Sequence, residues 1–514
     1  MEERFGMSSK TLSSRISTNT RSLLFFMACT VLSVLIPLGA GFGIDAEQIL
    51  TVFLALLIAS QIPYMPVILL LSSLPIFLYL PTGVIYGKPH AGILASFFET
   101  NALEALEFLG ILPIQSILFS LTLLTALIIW FTTRPDLRWW KGKFRVPLTF
   151  LCIALFVHSA TFKFYKYNYN GYLKYSESTA FLMSASEALP DWEISEMNGD
   201  KYQIQVVVIG ESVRKDYLSA YGYPHPTTPF LDSVSGYFLD GYVSAAPNTS
   251  TSLPRTLSIS AEDQLTFDPA HNAVTLANAA GLETWWISNQ GTLGVHDVGV
   301  AAIAARSQNR VFLKRGEYDA ENKDDYLLLE KLEAALEGAE KNRKLIFLHM
   351  MGSHANECKR LHGYPVNFST PHGERFNCYL ATLEKTDNFL RVALDMLKRS
   401  GQTYSMVYFS DHGMLTRRDT GSSEYQFRHG STYQQNYEIP FFILASDINE
   451  RIVQRKNLSA YRFMDFFANW IGVTTPLTHE GYDIRTAPHD SDVQVYNFSK
   501  LVRYDGLESQ AALH

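Results

Sequence analysis

Long apolar stretches occupy the first third of this chain of 514 residues and restrict it to a membrane-bound architecture. Five apolar spans can be recognised, at residues 22–43, 47–62, 64–84, 111–132 and 146–163. An α-helix needs about 20 apolar residues to cross a bilayer, with a range of about 17–25, so the first, third and fourth spans fit well while the other two are short. We therefore predict an N-terminal all-α membrane domain of five transmembrane helices over residues 1–163.

Lysine and arginine residues in the short loops set the predicted orientation of this domain. Four basic residues precede the first span and five lie within 134–145, whereas the loop after the first span carries only the acidic Asp45 and Glu47. Because positively charged loops face the cytoplasm, we predict a cytoplasmic N terminus. Five crossings then place everything after Lys163 on the outer side, which is the periplasm in a bacterium with two membranes.

Three segments outside the spans carry further predictions. Residues 88–110 mix glutamates with phenylalanines and leucines, which is typical of an amphipathic helix at the outer membrane interface. Such a helix either packs on the bilayer or covers an active site as a lid. Residues 164–202 are rich in Tyr, Lys and Ser and are interpreted as a linker with a short helix. Residues 501–514 are interpreted as a tail.

Beyond residue 203 the composition is that of a globular protein, in which apolar strand-like runs alternate with helical segments. The predicted strands are QIQVVVIG, ETWWIS, KLIFLHM, YSMVYFS and IPFFILA, and the predicted helices cover 326–340 and 379–399. Strands that alternate with helices indicate a parallel sheet covered on both faces, so we predict an α/β domain over 203–500. The net charge of −7, without a basic tract, argues against a nucleic-acid partner.

Potential metal ligands follow two of the predicted strands. Glu211 comes directly after VVVIG, and the pair Asp411 and His412 comes directly after MVYFS. An isolated Glu in this position would more simply cap the next helix, but ligand types recur here at two strand ends. Carboxylate oxygens and imidazole nitrogens at the carboxyl ends of parallel strands point into one crevice. His354 and His429 also lie close to strand ends and are able to reach the same crevice.

A stretch dense in hydroxyl side chains, SAAPNTSTSLPRTLS at 244–258, supplies candidate nucleophiles. The same composition is also that of a loop with capping residues that leads into a helix. A hydroxyl becomes a nucleophile only where a metal lowers its pKa or a base takes its proton. The spacing by itself does not indicate which hydroxyl would serve.

The four cysteines divide equally between the two parts of the chain. Cys29 and Cys152 lie inside apolar spans and are expected to act as small buried hydrophobic residues. Cys358 and Cys378 lie in the outer domain, where an oxidising compartment permits a disulfide between them. That disulfide would close a loop of about 20 residues and contribute about 3 kcal/mol in the chain-entropy model. Two free thiols are the alternative.

An ordered set of motifs resembles one family across nearly the whole chain. After the five spans come VIGES, YGYPHPTTP, the Thr-rich stretch, HMMGSH, SDHG and a late His-Gly pair. Together they resemble the phosphoethanolamine transferases of the Gram-negative inner membrane, within the alkaline phosphatase and sulfatase superfamily. The resemblance implies a multi-pass inner-membrane protein with an alkaline phosphatase/sulfatase-like catalytic domain in the periplasm. It also favours the lid interpretation of residues 88–110.

The resemblance implies a nucleophile and a metal site. Thr249 matches the family's nucleophile because it stands five residues before Pro254, and Thr251 is the fallback. The family pattern assigns one Zn²⁺ to Glu211, Thr249, Asp411 and His412. Mn²⁺ remains an alternative because carboxylate, imidazole and hydroxyl ligands suit both metals.

Further residues take roles by the same resemblance. His354 and His429 match histidines that bind the phosphoryl group or a second Zn²⁺. Asn289 and Gln290, directly after WWIS, stand where the family carries an Asn in a loop that borders the site, and Asn289 is taken as its counterpart. The implied reaction has two steps. The nucleophile takes phosphoethanolamine from phosphatidylethanolamine, diacylglycerol leaves, and an acceptor then receives the group.

Two departures from the lipid A-modifying members bear on the acceptor. Residues 247–254 and 289–297 hold no cysteine, where those members carry disulfide cysteines. The loop NQGTLGVHD and the pair Trp285-Trp286 are closer to members that act on lipopolysaccharide core sugars or periplasmic glucans. We therefore expect a glycan acceptor, with lipid A as the alternative.

Three other functions compete with this interpretation. A sulfatase needs a C/S-x-P-x-R pattern, and Ser252-Leu253-Pro254-Arg255 is one residue short of it. A glycerol-phosphate transferase similar to lipoteichoic acid synthase shares five spans, a threonine nucleophile and a metal. A non-catalytic module would have broken ligand positions, whereas all four positions of the predicted metal site are intact here.

Overall fold

The computed structural model of the protein describes most of the chain. The described residues are 18–90, 93–94, 97–98, 108–109, 112–135, 144–187, 190–197, 201–261, 263–290, 298–313, 323–339, 341–418 and 424–514. The chain divides into two compact units, one of residues 1–94 with 108–174 and one of residues 95–107 with 175–514. Most of the helix predicted at 88–110 lies outside the described residues.

The first unit is helical. Its helices, the last of which continues past residue 174, are α1 (Thr18–Gly39), α2 (Ala46–Ala59), α3 (Met65–Tyr86), α4 (Ile114–Thr133), α5 (Arg145–His158) and α6 (Ala160–Glu187). By length and composition α1, α3 and α4 could each cross a membrane. A fourth crossing results if α5 and the start of α6, bent by 50°, count as one span. Since α2 has only 14 residues, the predicted count of five is not confirmed.

Helix α6 differs from the predicted linker with a short helix. It spans 28 residues, Ala160–Glu187, and so includes the first part of the predicted linker. It begins directly after the break at Ser159. The segment contains no proline before Pro190 and only one glycine, Gly171, so little in its sequence interrupts a helix. Its mixed Tyr, Lys and Ser content conceals this continuity because it has no clear apolar periodicity.

The second unit is built on an eight-stranded sheet. Its strands, in the order in which they lie side by side, are β13 (Arg451–Ser459), β3 (Gly236–Val243), β12 (Glu438–Ala445), β9 (Tyr404–Ser410), β2 (Ile204–Gly210), β8 (Lys344–His349), β6 (Glu283–Ser288) and β7 (Asn309–Phe312). All five predicted strands are present, as β2, β6, β8, β9 and β12. Strands β3, β7 and β13 complete the sheet.

The prediction of a parallel sheet is wrong for one strand. β12 runs antiparallel to both of its neighbours, β3 and β9, while the other pairings in the sheet are parallel. No described helix of more than one turn separates β9 from β12 in the chain, which passes instead through the hairpin of β10 (Leu415–Arg418) and β11 (Tyr425–Arg428). Without a helical crossover, a strand that returns beside its predecessor has to be antiparallel.

Helices cover both faces of the sheet. The helices of this unit are α7 (Pro229–Ser233), α8 (Thr249–Leu257), α9 (Ala273–Ala279), α10 (Val298–Ala304), α11 (Tyr326–Leu336), α12 (Glu357–Arg360), α13 (Glu374–Arg399) and α14 (Phe463–Ile471). Helices α8, α9, α10 and α14 pack with Val207 and Ile209 on one face of β2, and α11 and α13 pack with Val206 and Val208 on the other. Burial on both faces explains why β2 is apolar at nearly every position.

Short elements complete the unit. Two-stranded sheets pair β1 (Glu196–Met197) with β14 (Val473–Thr474), β4 (Ser258–Ser260) with β5 (Phe267–Asn272), and β15 (Gln494–Tyr496) with β16 (Leu501–Arg503). Single 3₁₀ turns occur at Lys215–Tyr217, Ser219–Tyr221, Gln434–Asn436, Ala460–Arg462 and Tyr504–Gly506. The predicted helices at 326–340 and 379–399 are present with shifted ends, as α11 and α13.

A disulfide joins Cys358 on α12 to Cys378 on α13. It closes the chain segment from Cys358 to Cys378, which follows His354 and leads into the long helix α13. Cys29 and Cys152 are free and buried in the helical unit. The bond therefore ties the short helix α12 to the first turns of α13.

Replacing both cysteines of this bond, as Cys358→Ser with Cys378→Ser, is expected to lower the free energy of unfolding by about 3 kcal/mol, because the unfolded chain regains the entropy of the closed loop. The thermal midpoint of the second unit, measured on the full chain in detergent, should fall by several degrees. A reductant should lower the wild-type midpoint by the same amount and leave that of the double variant unchanged. Equal midpoints for wild type and double variant would contradict this expectation.

Candidate metal centre

Three potential metal ligands meet at one edge of the sheet. β2 and β9 are parallel neighbours in which Gly210 lies opposite Ser410, so the next residues along each strand, Glu211 and Asp411, leave the sheet side by side. His412 follows Asp411. All three side chains are buried, and one ligand atom from each lies within 4.8 Å of the others. This arrangement brings two carboxylates and one imidazole together in a buried cluster.

The imidazole of His412 is oriented towards the two carboxylates. Its Nδ1 lies 2.8 Å from the backbone oxygen of Gly413, which directs Nε2 into the cluster. Nε2 lies 3.4 Å from Glu211 Oε1 and 3.3 Å from Asp411 Oδ2, and it makes no hydrogen bond with any residue that the structure describes. A buried nitrogen fixed in this way, beside two carboxylates, fits the ligand set of a divalent metal.

Backbone turns hold the carboxylates in place. Ser212 has a left-handed backbone, with φ of 59°. This conformation costs about 1 kcal/mol or more for a residue with a side chain. In it the backbone N–H of Ser212 donates to Asp411 Oδ1 at 3.0 Å, and the hydroxyl donates to Glu211 Oε1 at 2.7 Å. The turn therefore links the two acidic side chains to each other.

Thr249 brings a hydroxyl to the cluster. It is the first residue of α8, whose N-cap Asn248 accepts a hydrogen bond from the backbone of Thr251. Thr249 Oγ1 lies 2.6 Å from Asp411 Oδ2 and 3.1 Å from Glu211 Oε2, so its one proton can be donated to either carboxylate. The hydroxyl of Thr251 bonds instead to the side chain of Asn248. Of the two candidate nucleophiles, only Thr249 touches the carboxylates.

The ionisation of the cluster reflects its burial and its mutual charges. Burial, together with the charge of Glu211, raises the pKa of Asp411 to about 8. Burial opposes the charged form of Glu211 as well, but the neighbouring His412 outweighs it and holds the pKa of Glu211 well below its usual range. For His412, burial is outweighed by the attraction of Asp411 and Glu211, which raises its pKa to about 9. The cluster thus favours a positive partner, as a bound metal ion would be.

His429 lies beside the cluster, and His354 acts on it electrostatically. The ring centroids of His429 and His412 are 4.8 Å apart. Burial and the charges of His412 and His354 lower the pKa of His429 to about 3, so its imidazole is neutral. The charge of His354 also acts on Glu211. Both histidines are half-buried at the rim of the cluster.

Asn289 lies next to the cluster but points elsewhere. Its side-chain amide donates to Lys323 O and to Asp325 Oδ1, each at 2.8 Å. The half-buried Asp325 accepts further hydrogen bonds from the backbone of Met351 and Gly352, in the loop that leads to His354. Asn289 therefore supports that loop and does not contact the carboxylates.

Gln290, the other amide of this loop, contacts the cluster directly. Its Nε2 donates to Glu211 Oε2 and to Met350 O, each at 2.9 Å. The sequence places both Asn289 and Gln290 at this loop, and Asn289 is the one predicted to be the site residue. The signal that could have identified Gln290 is its place just beyond β6, at the same edge of the sheet as Glu211 and Asp411.

Comparisons with known proteins agree with this fold. The sulfatase family model matches residues 203–476. Over 487 residues the chain is 32% identical to phosphoethanolamine transferase OpgE of Escherichia coli (strain K12), which covers 91% of this chain and 92% of that protein. Two solved structures share the fold at lower identity.

The first is the integral membrane protein lipooligosaccharide phosphoethanolamine transferase A from Neisseria meningitidis, with a TM-score of 0.59 and 15% identity over 89% of this chain and 97% of that one. The second is the C-terminal periplasmic domain of EptC from Escherichia coli in complex with Zn, with a TM-score of 0.52 and 21% identity. That alignment covers 62% of this chain and 98% of the EptC domain.

Replacing Gln290 by alanine is expected to weaken zinc binding about tenfold, because Glu211 loses an N–H donor that orients one of its oxygens. Competition with a chromophoric chelator measures the Kd on the full chain in detergent. Gln308→Ala, at an exposed glutamine of the same unit, is the matched control and should leave the Kd unchanged. Equal affinities for Gln290→Ala and wild type would show that this contact does not support the ligand.

Proposed function

Since the chain belongs to the phosphoethanolamine transferases, membrane enzymes with a sulfatase-family domain, we propose that it moves phosphoethanolamine from phosphatidylethanolamine to a glycan of the cell envelope. The observation that carries the proposal is the position of Thr249. Its hydroxyl lies at the start of a helix and within hydrogen-bonding distance of both carboxylates of a buried cluster that also contains His412. This is the position of a nucleophile beside its activating groups.

Glu211, Thr249, Asp411 and His412 are the residues that would hold a metal, and we propose Zn²⁺. Two carboxylates, one imidazole and one hydroxyl suit Zn²⁺, and they suit Mn²⁺ as well. The zinc in the EptC domain is a precedent within the same fold. When bound, the ion would lower the pKa of the hydroxyl and offset the negative charge of the phosphoryl group.

In the first step Thr249 Oγ forms a bond to phosphorus while the bond from phosphorus to the diacylglycerol oxygen breaks. The threonine proton passes to the carboxylate at 2.6 Å, Asp411, and from the carboxylate pair to the leaving diacylglycerol oxygen. In the second step a hydroxyl of the acceptor attacks the phosphothreonine. The phosphoethanolamine moves to the acceptor, and the acceptor proton returns to Thr249.

The start of α8 is suited to hold the phosphoryl oxygens. The first N–H groups of a helix have no partner within the helix and attract anions. His354 and His429 at the rim would bind the same oxygens or a second Zn²⁺. Asn289 is proposed to act indirectly, through Asp325 and the loop that carries His354, because its amide is engaged there.

A glycan acceptor, either lipopolysaccharide core or a periplasmic glucan, is proposed over lipid A. The support comes from the positions of the cysteines in the sequence. No cysteine stands in 247–254 or 289–297, where lipid A-modifying members carry disulfide cysteines. In the part of the chain that the structure describes, the cysteines of the second unit are those of the Cys358–Cys378 bond.

We further propose a multi-pass protein of the bacterial inner membrane, with five crossings and the catalytic domain in the periplasm. Residues 164–202 would connect the membrane domain of residues 1–163 to the catalytic domain of residues 203–500. The basic residues within 134–145 and the acidic Asp45 support the orientation. The Cys358–Cys378 disulfide supports an oxidising compartment for the second unit.

The proposal is tested by the intact mass of the purified full chain after incubation with phosphatidylethanolamine and Zn²⁺. Wild type should gain one phosphoethanolamine unit, because the first step leaves the group on the threonine. Thr249→Ala should gain none, and Thr249→Ser should gain one, since serine keeps the hydroxyl. Thr251→Ala is the matched control and should form the adduct as wild type does.

Three results would contradict parts of the proposal. No adduct on wild type would count against this donor, and an adduct from phosphatidylglycerol instead would indicate glycerol-phosphate transfer. An adduct that persists on Thr249→Ala but not on Thr251→Ala would move the nucleophile to Thr251. Transfer from the adduct to lipid A, and not to isolated core oligosaccharide or periplasmic glucan, would overturn the glycan acceptor.

A further inference from the structure

We infer that residues 507–514, called the closing segment below, hold the loops of the metal cluster in fixed positions relative to one another. Gln510 is the positioning residue through which they do so. The sequence predicted only a tail here. In the structure the closing segment is bonded to three loops, which carry Glu211, His412 and His429. The inference rests on the metal site proposed above, but not on the identity of the group transferred.

The first link runs through Arg214, three residues after Glu211. Its guanidinium is fully buried. Nε and Nη2 donate to the carboxylate of Asp216 at 2.6 and 2.7 Å, and Nη1 donates to Thr416 Oγ1 at 3.0 Å. The remaining two bonds go to Gln510: Nη1 donates to its Oε1 and Nη2 to its backbone oxygen, each at 2.7 Å. A buried charge is stable only while its partners are in place, so Arg214 depends on Gln510.

The second link joins Gln510 to Thr416, four residues after His412. Gln510 Oε1 accepts from the backbone N–H of Thr416 at 3.0 Å, and Gln510 Nε2 donates to the backbone oxygen of Thr416 at 2.6 Å. One amide thus pairs with both backbone groups of a residue in β10, as a neighbouring strand would. The glutamine fixes the chain that leaves His412 relative to the chain that leaves Glu211.

The third link passes through the 3₁₀ turn Gln434–Asn436. The backbone N–H of Gln510 donates to Gln435 Oε1 at 2.7 Å, and Gln435 Nε2 donates to Ser509 Oγ at 3.3 Å. Asn436, the next residue, accepts through its backbone oxygen from the N–H of Gly413 at 3.0 Å. Its side-chain oxygen, in the orientation that satisfies both ends of the amide, accepts from the N–H of Gly430 at 3.2 Å.

The loop after His412 packs tightly against this turn. A Cβ on Gly413 would lie 2.1 Å from the backbone oxygen of Gln435, so the loop after His412 is in direct contact with the turn. Gly430 follows His429 directly. The turn that Gln510 contacts therefore adjoins the loops of both histidines.

Further contacts hold the rest of the closing segment on the domain. The backbone N–H of Leu513 donates to Tyr217 Oη at 3.2 Å, and its oxygen accepts from Tyr223 Oη at 2.8 Å. Upstream, Glu508 exchanges backbone hydrogen bonds with Thr432 and Gln434. Tyr217 and Tyr223 lie in the stretch after Glu211, and residues 432 and 434 lie in the stretch after His429. The closing segment thus bridges these two stretches along its length.

The ligand loops are joined to one another chiefly by short polar contacts, and Gln510 is the residue where three of those links meet. Without its side chain, Arg214 loses one of its hydrogen bonds and Thr416 loses both of its bonds to the glutamine. Groups that orient metal ligands typically affect metal affinity by 10–100-fold. Because Gln510 acts one contact further away, we expect a smaller effect, about fivefold.

The test compares zinc affinity among glutamine variants of the full chain in detergent, by competition with a chromophoric chelator at a temperature well below unfolding. Gln510→Ala should raise the Kd for Zn²⁺ about fivefold. Gln510→Glu keeps an oxygen acceptor for Arg214 and for the N–H of Thr416 but loses the donor to the backbone oxygen of Thr416, so its Kd should lie between those of wild type and Gln510→Ala. Gln494→Ala is the matched control. Gln494 lies on β15, and its Nε2 donates to the nearby Asp492 at 3.1 Å and not to a ligand loop. It should leave the Kd unchanged.

A second readout separates positioning from simple stabilisation. The visible absorption of Co²⁺ bound in place of Zn²⁺ reports the arrangement of the ligands, and we expect a changed spectrum for Gln510→Ala alone. A lower thermal midpoint of the metal-free Gln510→Ala protein, with wild-type zinc affinity and a wild-type Co²⁺ spectrum, would overturn the inference. If Gln510→Ala does not fold, Gln435→Ala removes only the third link, and its Kd should still rise, by about threefold; an unchanged Kd would overturn the inference.

The outcomes also separate this inference from the proposed transfer. A wild-type protein that binds neither metal would overturn the metal site and the positioning role with it. Normal zinc binding and the expected order of variants, without any phosphoethanolamine adduct, would support the positioning role and count against the transfer alone.

Discussion

The rest of the catalytic unit depends on one constraint, which is that two buried carboxylates, Glu211 and Asp411, lie side by side. Like charges in a medium of low polarity repel each other strongly, so such a pair persists only with donors and cations around it. Ser212 and Gln290 donate to these carboxylates, and the Thr249 hydroxyl shares its proton between them. Without a bound ion, the charge of His412 offsets part of this negative charge. A divalent ion, held with a neutral His412 as one of its ligands, would offset both carboxylates, which is why a metal site is proposed for this cluster.

The choice between two neighbouring threonines follows from helix capping. Asn248 caps α8 and takes both the backbone N–H and the hydroxyl of Thr251, which turns Thr251 away from the carboxylates. Thr249, at the first position of the helix, is left with its hydroxyl directed at the cluster and with the free N–H groups of the helix start nearby. The same local geometry thus favours Thr249 as the proposed nucleophile and provides an environment for an anionic group beside it.

Much of the fold and of the site could be predicted because strand-like runs in this chain end in residues of distinct chemistry. Glu211 and Asp411-His412 were found in this way, since β2 and β9 are apolar on both faces and their ends are plain in the sequence. The direction of β12 could not be found, because it depends on whether a helix intervenes before it. Nor could the roles of Asn289 and Gln290 be told apart. The directions of two adjacent amide side chains depend on how the chain turns beyond β6, which the sequence does not reveal. Helix α6 and the contacts of Gln510 were missed for a related reason, since neither has an apolar period or a recognisable motif.

The reversed direction of β12 has a consequence for how such a site can diversify. Its amino end lies at the edge of the sheet where the other strands have their carboxyl ends, so the chain leaves that edge after Ser410 and re-enters at Glu438. The described residues between them, which include His412 and His429, form a single excursion at that edge, without a crossing beneath the sheet. Changes of length or sequence within this excursion are therefore compatible with an unchanged register of β9 and β12. Such an excursion is a place where the surroundings of His412 and His429 can change in evolution while the strands that end before Glu211 and Asp411 stay as they are.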